Sequence, residues 1–182
     1  DVVQKIIQIA KRTGLLTTQL NTPNVDGETP LMLAAKNGHL DVVNKIIEIT
    51  KGTDLLETLL KDKNENGYTP LMLAALNGHA NVVQEIIMSA KEAKDKELLE
   101  KLLSAADENG YTPFMLAVYN GHLDVVNAII DIADKGLLET LLNTPNIDEQ
   151  TPLMLAAMNG HTDVINTILK NITDENSKLK LK

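Results

Sequence analysis

Apolar residues recur along this chain in short groups whose spacing predicts helices. Val42, Val43, Ile46 and Ile47 stand at i, i+1, i+4 and i+5, which places all four on one side of an α-helix. The group returns as Val82, Val83, Ile86 and Ile87, as Val125, Val126, Ile129 and Ile130, and as Val164, Ile165, Ile168 and Leu169. We therefore predict one amphipathic helix, repeated four times, that buries its apolar face.

Each of these helices is preceded by a nearly fixed phrase of eleven residues. The phrase runs from Thr29 to His39 and begins again at Thr69, Thr112 and Thr151, so its copies are 40, 43 and 39 residues apart. Its threonine can cap a helix, its proline suits the first helical position, and its glycine can take the positive φ that follows a helix end. A nearly constant period is typical of stacked units, each predicted here to be a helix hairpin with a glycine corner.

A third apolar pattern, of paired leucines, follows the second helix of each unit. It occupies residues 55–60, 98–103 and 137–142, with a degraded copy at 15–20. We predict a third short helix here, separated from the second by Gly52 or Gly136; the alternative is that the leucines extend the second helix. Residues 90–97 instead are rich in Lys, Glu and Ala, so the second helix is expected to run on longer there.

These residues resemble the ankyrin repeat family, whose pattern includes Thr-Pro-Leu-His-x-Ala. The matching letters are Thr-Pro-Leu-Met-Leu-Ala-Ala, then Asn-Gly-His, then Asp-Val-Val, with a glycine two residues before three of the four threonines. The repeats are longer than the family's usual length of about 33 residues. The family's histidine inside the phrase is also replaced by methionine, at Met32, Met72, Met115 and Met154.

The resemblance implies an all-α helical solenoid with short turn or β-hairpin fingers between repeats. We expect a single array over 1–182, divided into a partial repeat 1–25, repeats 26–65, 66–108 and 109–147, and a C-terminal repeat or cap 148–182. Asp1–Ile7 matches Asp41–Ile47, so the chain is expected to open on the second helix of an incomplete repeat. Self-association through this uncapped N-terminal end is a further expectation, since each repeat buries its apolar face only against its neighbours.

Charge and composition narrow the classes of partner and compartment. The formal net charge is -8, which disfavours nucleic acid because phosphate binding needs a basic surface. No apolar run approaches the roughly 18 residues of a membrane span, so no membrane insertion is expected. The chain has no cysteine and therefore no disulfide framework, which fits a cytoplasmic protein or one delivered into a host cytoplasm.

Candidate catalytic residues are few, and we expect neither an enzyme nor a cofactor. His39, His79, His122 and His161 occupy equivalent positions of stacked repeats, so they should lie about 8–10 Å apart. Zinc holds histidine nitrogens at about 2.1 Å, so these side chains cannot share a metal ion. We predict that they form hydrogen bonds in the turn between the helices, and that the adjacent carboxylates Asp107 and Glu108 lie in a solvated turn.

The resemblance also implies a binding surface, because in ankyrin arrays the fingers and the exposed side of the first helices line a concave face that holds partner proteins. Matching positions give four rows: Val25, Asp26, Glu28 and Lys36; Glu65, Asn66, Tyr68 and Leu76; Glu108, Asn109, Tyr111 and Tyr119; Ile147, Asp148, Gln150 and Met158. All three tyrosines of the chain belong to this set, and with Leu76 and Met158 they predict an apolar, aromatic centre flanked by acids. The alternative is that Tyr68 and Tyr111 only pack on neighbouring fingers.

Three functions remain open from the sequence. The first is a protein–protein interaction module that serves as an adaptor or scaffold. The second is the targeting segment of a larger protein, such as a bacterial effector, with catalytic or membrane parts outside this chain. The third is an engineered scaffold of consensus repeats, against which the unequal repeat lengths argue.

Overall fold

The repeating hairpin predicted from the sequence is the unit of the fold. The computed structural model describes residues 14–93, 95 and 97–179, with side chains as far as residue 173, and within these residues the chain forms twelve α-helices and no β-strand. The first helices of the repeats are α2 (Pro30–Lys36), α5 (Pro70–Leu76), α8 (Pro113–Tyr119) and α11 (Pro152–Met158). The second helices are α3 (Leu40–Thr50), α6 (Ala80–Lys91), α9 (Leu123–Ile132) and α12 (Thr162–Leu179). The third helices are α1 (Leu15–Asn21), α4 (Asp54–Lys61), α7 (Leu98–Ser104) and α10 (Lys135–Asn143).

The first helices begin where the phrase predicts. Thr29 is the N-cap of α2, and its Oγ1 accepts a hydrogen bond from the backbone N–H of Met32 at 3.4 Å, while Pro30 takes the first helical position. The caps of α5, α8 and α11 have the same geometry, at 3.3 to 3.4 Å. Each helix is seven residues long and ends at an asparagine; the side chain of Asn37 donates to the carbonyl of Leu33 at 2.8 Å.

The glycine corner between the first and second helices is confirmed. Gly38, Gly78, Gly121 and Gly160 have φ values of 70°, 75°, 71° and 72°, in the left-handed region that favours glycine. The second helices then start directly after the histidine of the phrase, with Asp41 in the first turn of α3, where a negative charge suits the helix dipole.

The leucine patterns form separate third helices, so the reading that they merely extend the second helix is wrong. Gly52 (φ 73°) separates α3 from α4 as predicted. The prediction is wrong for Gly136, which lies inside the first turn of α10; Asp134 makes the break instead, since its Oδ1 caps the helix by accepting from the N–H of Leu137 at 2.9 Å. Helix α6 has 12 residues against 11 in α3, so the extension expected there amounts to one residue.

One apolar core runs through the stack of helices. Each first helix packs on the first helix of the next repeat, and each second helix behaves likewise. Leu31, Leu71 and Phe114 at equivalent positions are fully buried, and the methionines that depart from the family pattern fill the same core at Met32, Met72 and Met115. The division of the chain at 26–65, 66–108 and 109–147 remains a prediction, and the match at Asp1–Ile7 lies outside the described residues.

Candidate partner-binding face

Each finger, the turn that precedes a capping threonine, is held by an Asn or Asp five residues before that threonine; this side chain is buried in the last three fingers and exposed in the first. In the first finger the Oδ1 of Asn24 accepts from the backbone N–H groups of Asp26 at 3.0 Å and Glu28 at 2.9 Å. Asn64, Asp107 and Asn146 make the same two bonds in the other fingers. The sequence interpretation missed these residues, although an Asn or Asp recurs at this place with the period of the threonines.

The prediction that Asp107 and Glu108 lie in a solvated turn is right for Glu108 and wrong for Asp107. The turn is there, and Glu108 is exposed, but Asp107 is only 9% exposed and its carboxylate organises the finger. The fingers are tight turns rather than β-hairpins: the N–H of Asn24 donates to the carbonyl of Glu28 at 3.0 Å, and no ladder extends beyond it in the described residues.

Neighbouring fingers stack against each other through their backbones. The N–H of Glu65 donates to the carbonyl of Asp26 at 3.3 Å, and the N–H of Ile147 donates to that of Asn109 at 3.1 Å. The close approach needs glycine, since a β-carbon on Gly110 would lie 2.9 Å from the backbone nitrogen of Ile147. Backbone bonds therefore join the first finger to the second and the third to the fourth, and Lys63 Nζ donates to the carbonyl of Ala106 between the second and the third.

The structure brings the predicted residues together in cross-pairs between finger and first helix. We call the sixteen residues of the four predicted rows the finger face. In the first row Lys36 Nζ forms an ion pair with Glu28 Oε1 at 2.8 Å. In the third row the rings of Tyr111 and Tyr119 meet edge to face, with centroids 5.8 Å apart. In the fourth row Gln150 Nε2 lies 4.0 Å from the sulfur of Met158.

Exposure divides the finger face into contact residues and supports. Val25, Ile147, Met158 and Tyr119 expose 90%, 66%, 59% and 38% of their surface. Tyr68, Leu76, Tyr111 and Gln150 are half-buried. Lys36 and the polar finger residues Asp26, Glu65, Asn66, Glu108, Asn109 and Asp148 are exposed. Glu28 is the exception, because its carboxylate is buried beneath the ammonium group of Lys36 and reaches a partner only through that lysine.

The tyrosines differ in how they combine packing with exposure. Tyr111 packs against the core, whereas the ring of Tyr119 lies outside it and is supported from below by Tyr111. Burial raises the pKa of Tyr68 above its usual value, and the carboxylate of Asp107 in the next finger raises it further. Tyr68 is half-buried, while Tyr119 has the more open ring.

The four histidines do not form a site, and three of them join successive repeats. Nε2 of His79 lies 3.0 Å from the carbonyl oxygen of Lys36, and His122 and His161 reach the equivalent carbonyls of Leu76 and Tyr119 at 3.0 and 2.9 Å. Since a carbonyl only accepts, these nitrogens carry the proton. We predicted hydrogen bonds of these histidines within the turn between the helices. The histidines lie in that turn, but each bond reaches a carbonyl of the preceding repeat. Among the described residues no group of His, Asp or Glu is arranged to hold a metal ion.

Two grooves lie elsewhere, between the second and third helices of neighbouring repeats. The first is lined by Ile47, Leu56 and Met88, and the ion pair between Lys51 Nζ and Glu92 Oε2, at 2.7 Å, joins its two sides. The second lies between α7 and α10 and is bordered by Lys91 and Asp134. No finger-face residue lines either groove, so they are separate from the predicted binding surface.

Comparison with known families supplies one clear match. The model for ankyrin repeats (3 copies) matches this chain over residues 1–96, 48–137 and 86–179. Comparison with curated proteins gives no match. None of the described helices has both the length and the apolar character needed to cross a membrane.

Proposed function

The chain belongs to the ankyrin-repeat family, and on that basis we propose that its finger face binds a partner protein. Ankyrin repeats are generally protein–protein interaction modules without catalytic activity. The observation that carries the proposal is the exposure of three apolar side chains on the finger face of adjacent repeats, Tyr119, Ile147 and Met158, which we call the apolar cluster. Exposed aromatic and methionine side chains are the usual energetic anchors of protein interfaces.

Rigidity favours this use of the finger face. Each finger is fixed by two hydrogen bonds to an Asn or Asp side chain, and backbone bonds join the first finger to the second and the third to the fourth. Pro23 and Pro145 restrict the outer fingers further. A surface that is ordered before it meets its partner loses little conformational entropy on binding, so more of the contact energy appears as affinity.

The finer expectations from the sequence belong to this proposal. A role as adaptor or scaffold in the cytoplasm, or as the targeting segment of a larger protein such as a bacterial effector, uses the same face. The engineered alternative is disfavoured by Glu149, which occupies a left-handed position (φ 59°) that glycine fills in the other three fingers. Self-association through the N-terminal end stays a prediction, since residues 1–13 are outside the described part.

The test uses paired substitutions at and away from the finger face. A partner captured from lysate is identified and purified, and its affinity for the full chain is measured by calorimetry. We expect Tyr119→Ala with Met158→Ala to weaken binding about 30-fold or more, because the central anchors contribute about 2 kcal/mol or more. Met88→Ala is the control and should change affinity less than twofold, because Met88 is exposed and lines the first of the two grooves, away from the finger face.

Circular dichroism and urea unfolding establish that both variants keep the fold. Unchanged affinity in the folded Tyr119 and Met158 variant would place the contact elsewhere and overturn the proposal. An equal loss in the Met88 variant would show that the assay responds to general destabilisation and would count against it as well.

A further inference from the structure

The negative charge of this protein is concentrated on the part that carries the finger face. The fingers with their first helices are the four equivalent segments 22–36, 62–76, 105–119 and 144–158. Together they contain eight carboxylates and two lysines, so they hold six of the eight net negative charges of the chain. The remaining two thirds of the sequence is close to neutral, so the acidity belongs to one surface of the solenoid.

Internal contacts account for only part of this charge. Glu28 is neutralised by Lys36, and Asp107 Oδ1 accepts hydrogen bonds from two backbone N–H groups of its own finger. The second lysine, Lys63, donates to the carbonyl of Ala106 at 2.7 Å and so bridges two fingers through a backbone group. Asp62, the eighth carboxylate, is half-buried, and five are left exposed on the fingers: Asp26, Glu65, Glu108, Asp148 and Glu149.

These carboxylates share the finger face with exposed apolar side chains. Ile147 is next to Asp148 in the fourth finger, and Tyr119 and Met158 lie against Tyr111 and Gln150 of the third and fourth fingers. Glu65 and Glu108 occupy the tips of the two inner fingers, at the position that Ile147 fills in the fourth. A ligand in contact with the apolar cluster therefore has carboxylates along its length.

We propose that the partner presents a basic segment, rich in Lys or Arg, whose apolar side chains dock on Tyr119, Ile147 and Met158. This inference rests on the proposed function and adds the chemistry of its partner. The five exposed carboxylates determine that the segment is positively charged. An acidic ligand would bring further negative charges against them, and like charges brought together at an interface are strongly unfavourable. The segment also needs apolar side chains that dock on the apolar cluster, because charge pairs at a solvated rim add little affinity by themselves.

The spacing of the fingers fits an extended segment. Stacked helices are separated by about 8–10 Å, and three residues of an extended polyproline II segment make one turn and span about 9 Å, so every third side chain points the same way. A cation at every third residue therefore meets one finger after another, while the residues between reach toward the first helices. This sets the design of a probe peptide.

The experiment titrates the isotopically labelled full chain with three capped 12-residue peptides. They are repeats of Lys-Leu-Ser, of Glu-Leu-Ser and of Lys-Ser-Ser, and amide chemical shifts report where each one binds. We expect Lys-Leu-Ser to shift finger-face amides, with at least about fivefold tighter binding than either of the others. Raising the salt concentration from 50 to 300 mM should weaken it several-fold through screening.

Matched variants separate local charge from net charge. Glu65→Gln with Glu108→Gln should weaken the Lys-Leu-Ser peptide about threefold or more. Asp131→Asn with Glu139→Gln makes the same change of net charge on α9 and α10 and should leave the affinity within 1.5-fold, a margin of about 0.2 kcal/mol. Equal loss in both pairs would mean that only net charge matters, and would overturn the assignment to the finger face.

The outcomes distinguish this inference from the proposed function. Equal or tighter binding of Glu-Leu-Ser at the finger face would overturn the basic partner and leave a protein-binding face intact. Equal binding of Lys-Ser-Ser would overturn the apolar anchor. Absence of any finger-face shift with Lys-Leu-Ser would overturn the inference as a whole, whereas the proposed function fails only if the Tyr119 and Met158 variant keeps its affinity for the captured partner.

Discussion

The third repeat and the last repeat carry almost the same phrase, yet the side chains of that phrase lie in different surroundings. Met115 is fully buried by the repeat that follows it, whereas Met154 at the equivalent place is 56% exposed. A β-carbon on Gly121 would lie 2.6 Å from His161, whereas one on Gly160 would meet nothing within 4 Å. The same residue types thus form buried core in one copy and solvent-exposed surface in the other.

The local structure of the two copies is nevertheless the same. Thr112 and Thr151 cap their helices with equal geometry, at 3.3 and 3.4 Å, and Gly121 and Gly160 have φ values of 71° and 72°. Caps and corners are therefore decided by neighbours in sequence, and burial by neighbours in the stack. Since a repeat array is stabilised by its units and by the interfaces between them, the two contributions can be separated by paired substitutions.

The largest expected difference concerns the methionines. Met115→Ala should destabilise the protein by about 2–5 kcal/mol, because it removes a buried side chain and leaves a cavity. Met154→Ala should cost less than about 1 kcal/mol, because much of that side chain is already in water. Urea unfolding gives the two free energies, and amide hydrogen exchange shows which repeats are affected. Equal costs would mean that the last repeat is covered in solution, and the comparison would break down.

A smaller difference is expected at the glycine corners. Alanine at Gly160 meets only the cost of a positive φ, about 1 kcal/mol. Alanine at Gly78 meets the same cost and also displaces His122, whose Nδ1 would lie 2.7 Å from the new carbon. We expect Gly78→Ala to cost about 1–2 kcal/mol more than Gly160→Ala in the same urea titrations.

As a control, Gly78→Ala and Gly160→Ala are measured again in a protein that also carries His122→Ala. With the imidazole removed, the excess cost at Gly78 should disappear, since only the backbone term remains. If the excess persists, the contact between repeats is not its cause, and the role given to the histidines is wrong.

The smallest effect is expected at the finger of the last repeat. Gly110 and Glu149 occupy the same left-handed position, with φ values of 79° and 59°. Glu149→Gly should stabilise the protein by about 0.5–1 kcal/mol through relief of backbone strain, partly offset by the greater freedom of glycine in the unfolded chain. Glu149→Ala removes the same charge but keeps the β-carbon; if it stabilises equally, charge and not strain is responsible.

Much of the architecture could be predicted because it depends on short-range chemistry. The caps at Thr29 and its counterparts, the corner glycines and the separate third helices follow from residue types at fixed spacing. The wrong prediction at Gly136 has the same origin, since glycine only permits a break, whereas Asp134, two residues earlier, has a side chain that caps the helix. Asn24 and its counterparts recur with the period of the threonines, but Asn and Asp are common in turns of every kind, so residue type alone does not identify the one that holds the finger.

The finger face could be predicted only in part. Its sixteen positions were found by matching repeats, and the structure brings them together in rows, but their exposure did not follow from the pattern. Glu28 looks like a surface acid in the sequence and is buried under Lys36. Tyr119 and Met158 stay exposed although Tyr111 and Gln150 of their fingers lie against them. Binding by these residues remains a prediction.

The sequence by itself determined where each helix begins, where the chain turns and which period the units follow. These features need only a hydroxyl beside a free N–H, a residue that tolerates positive φ and an apolar stripe at helical spacing. The tertiary structure decided what each repeated letter does: that His122 bonds to the carbonyl of Leu76, and that Met115 is core while Met154 is surface. The physical reason is that hydrogen bonding within a turn is local, whereas removal of surface from water depends on which other segment lies against it.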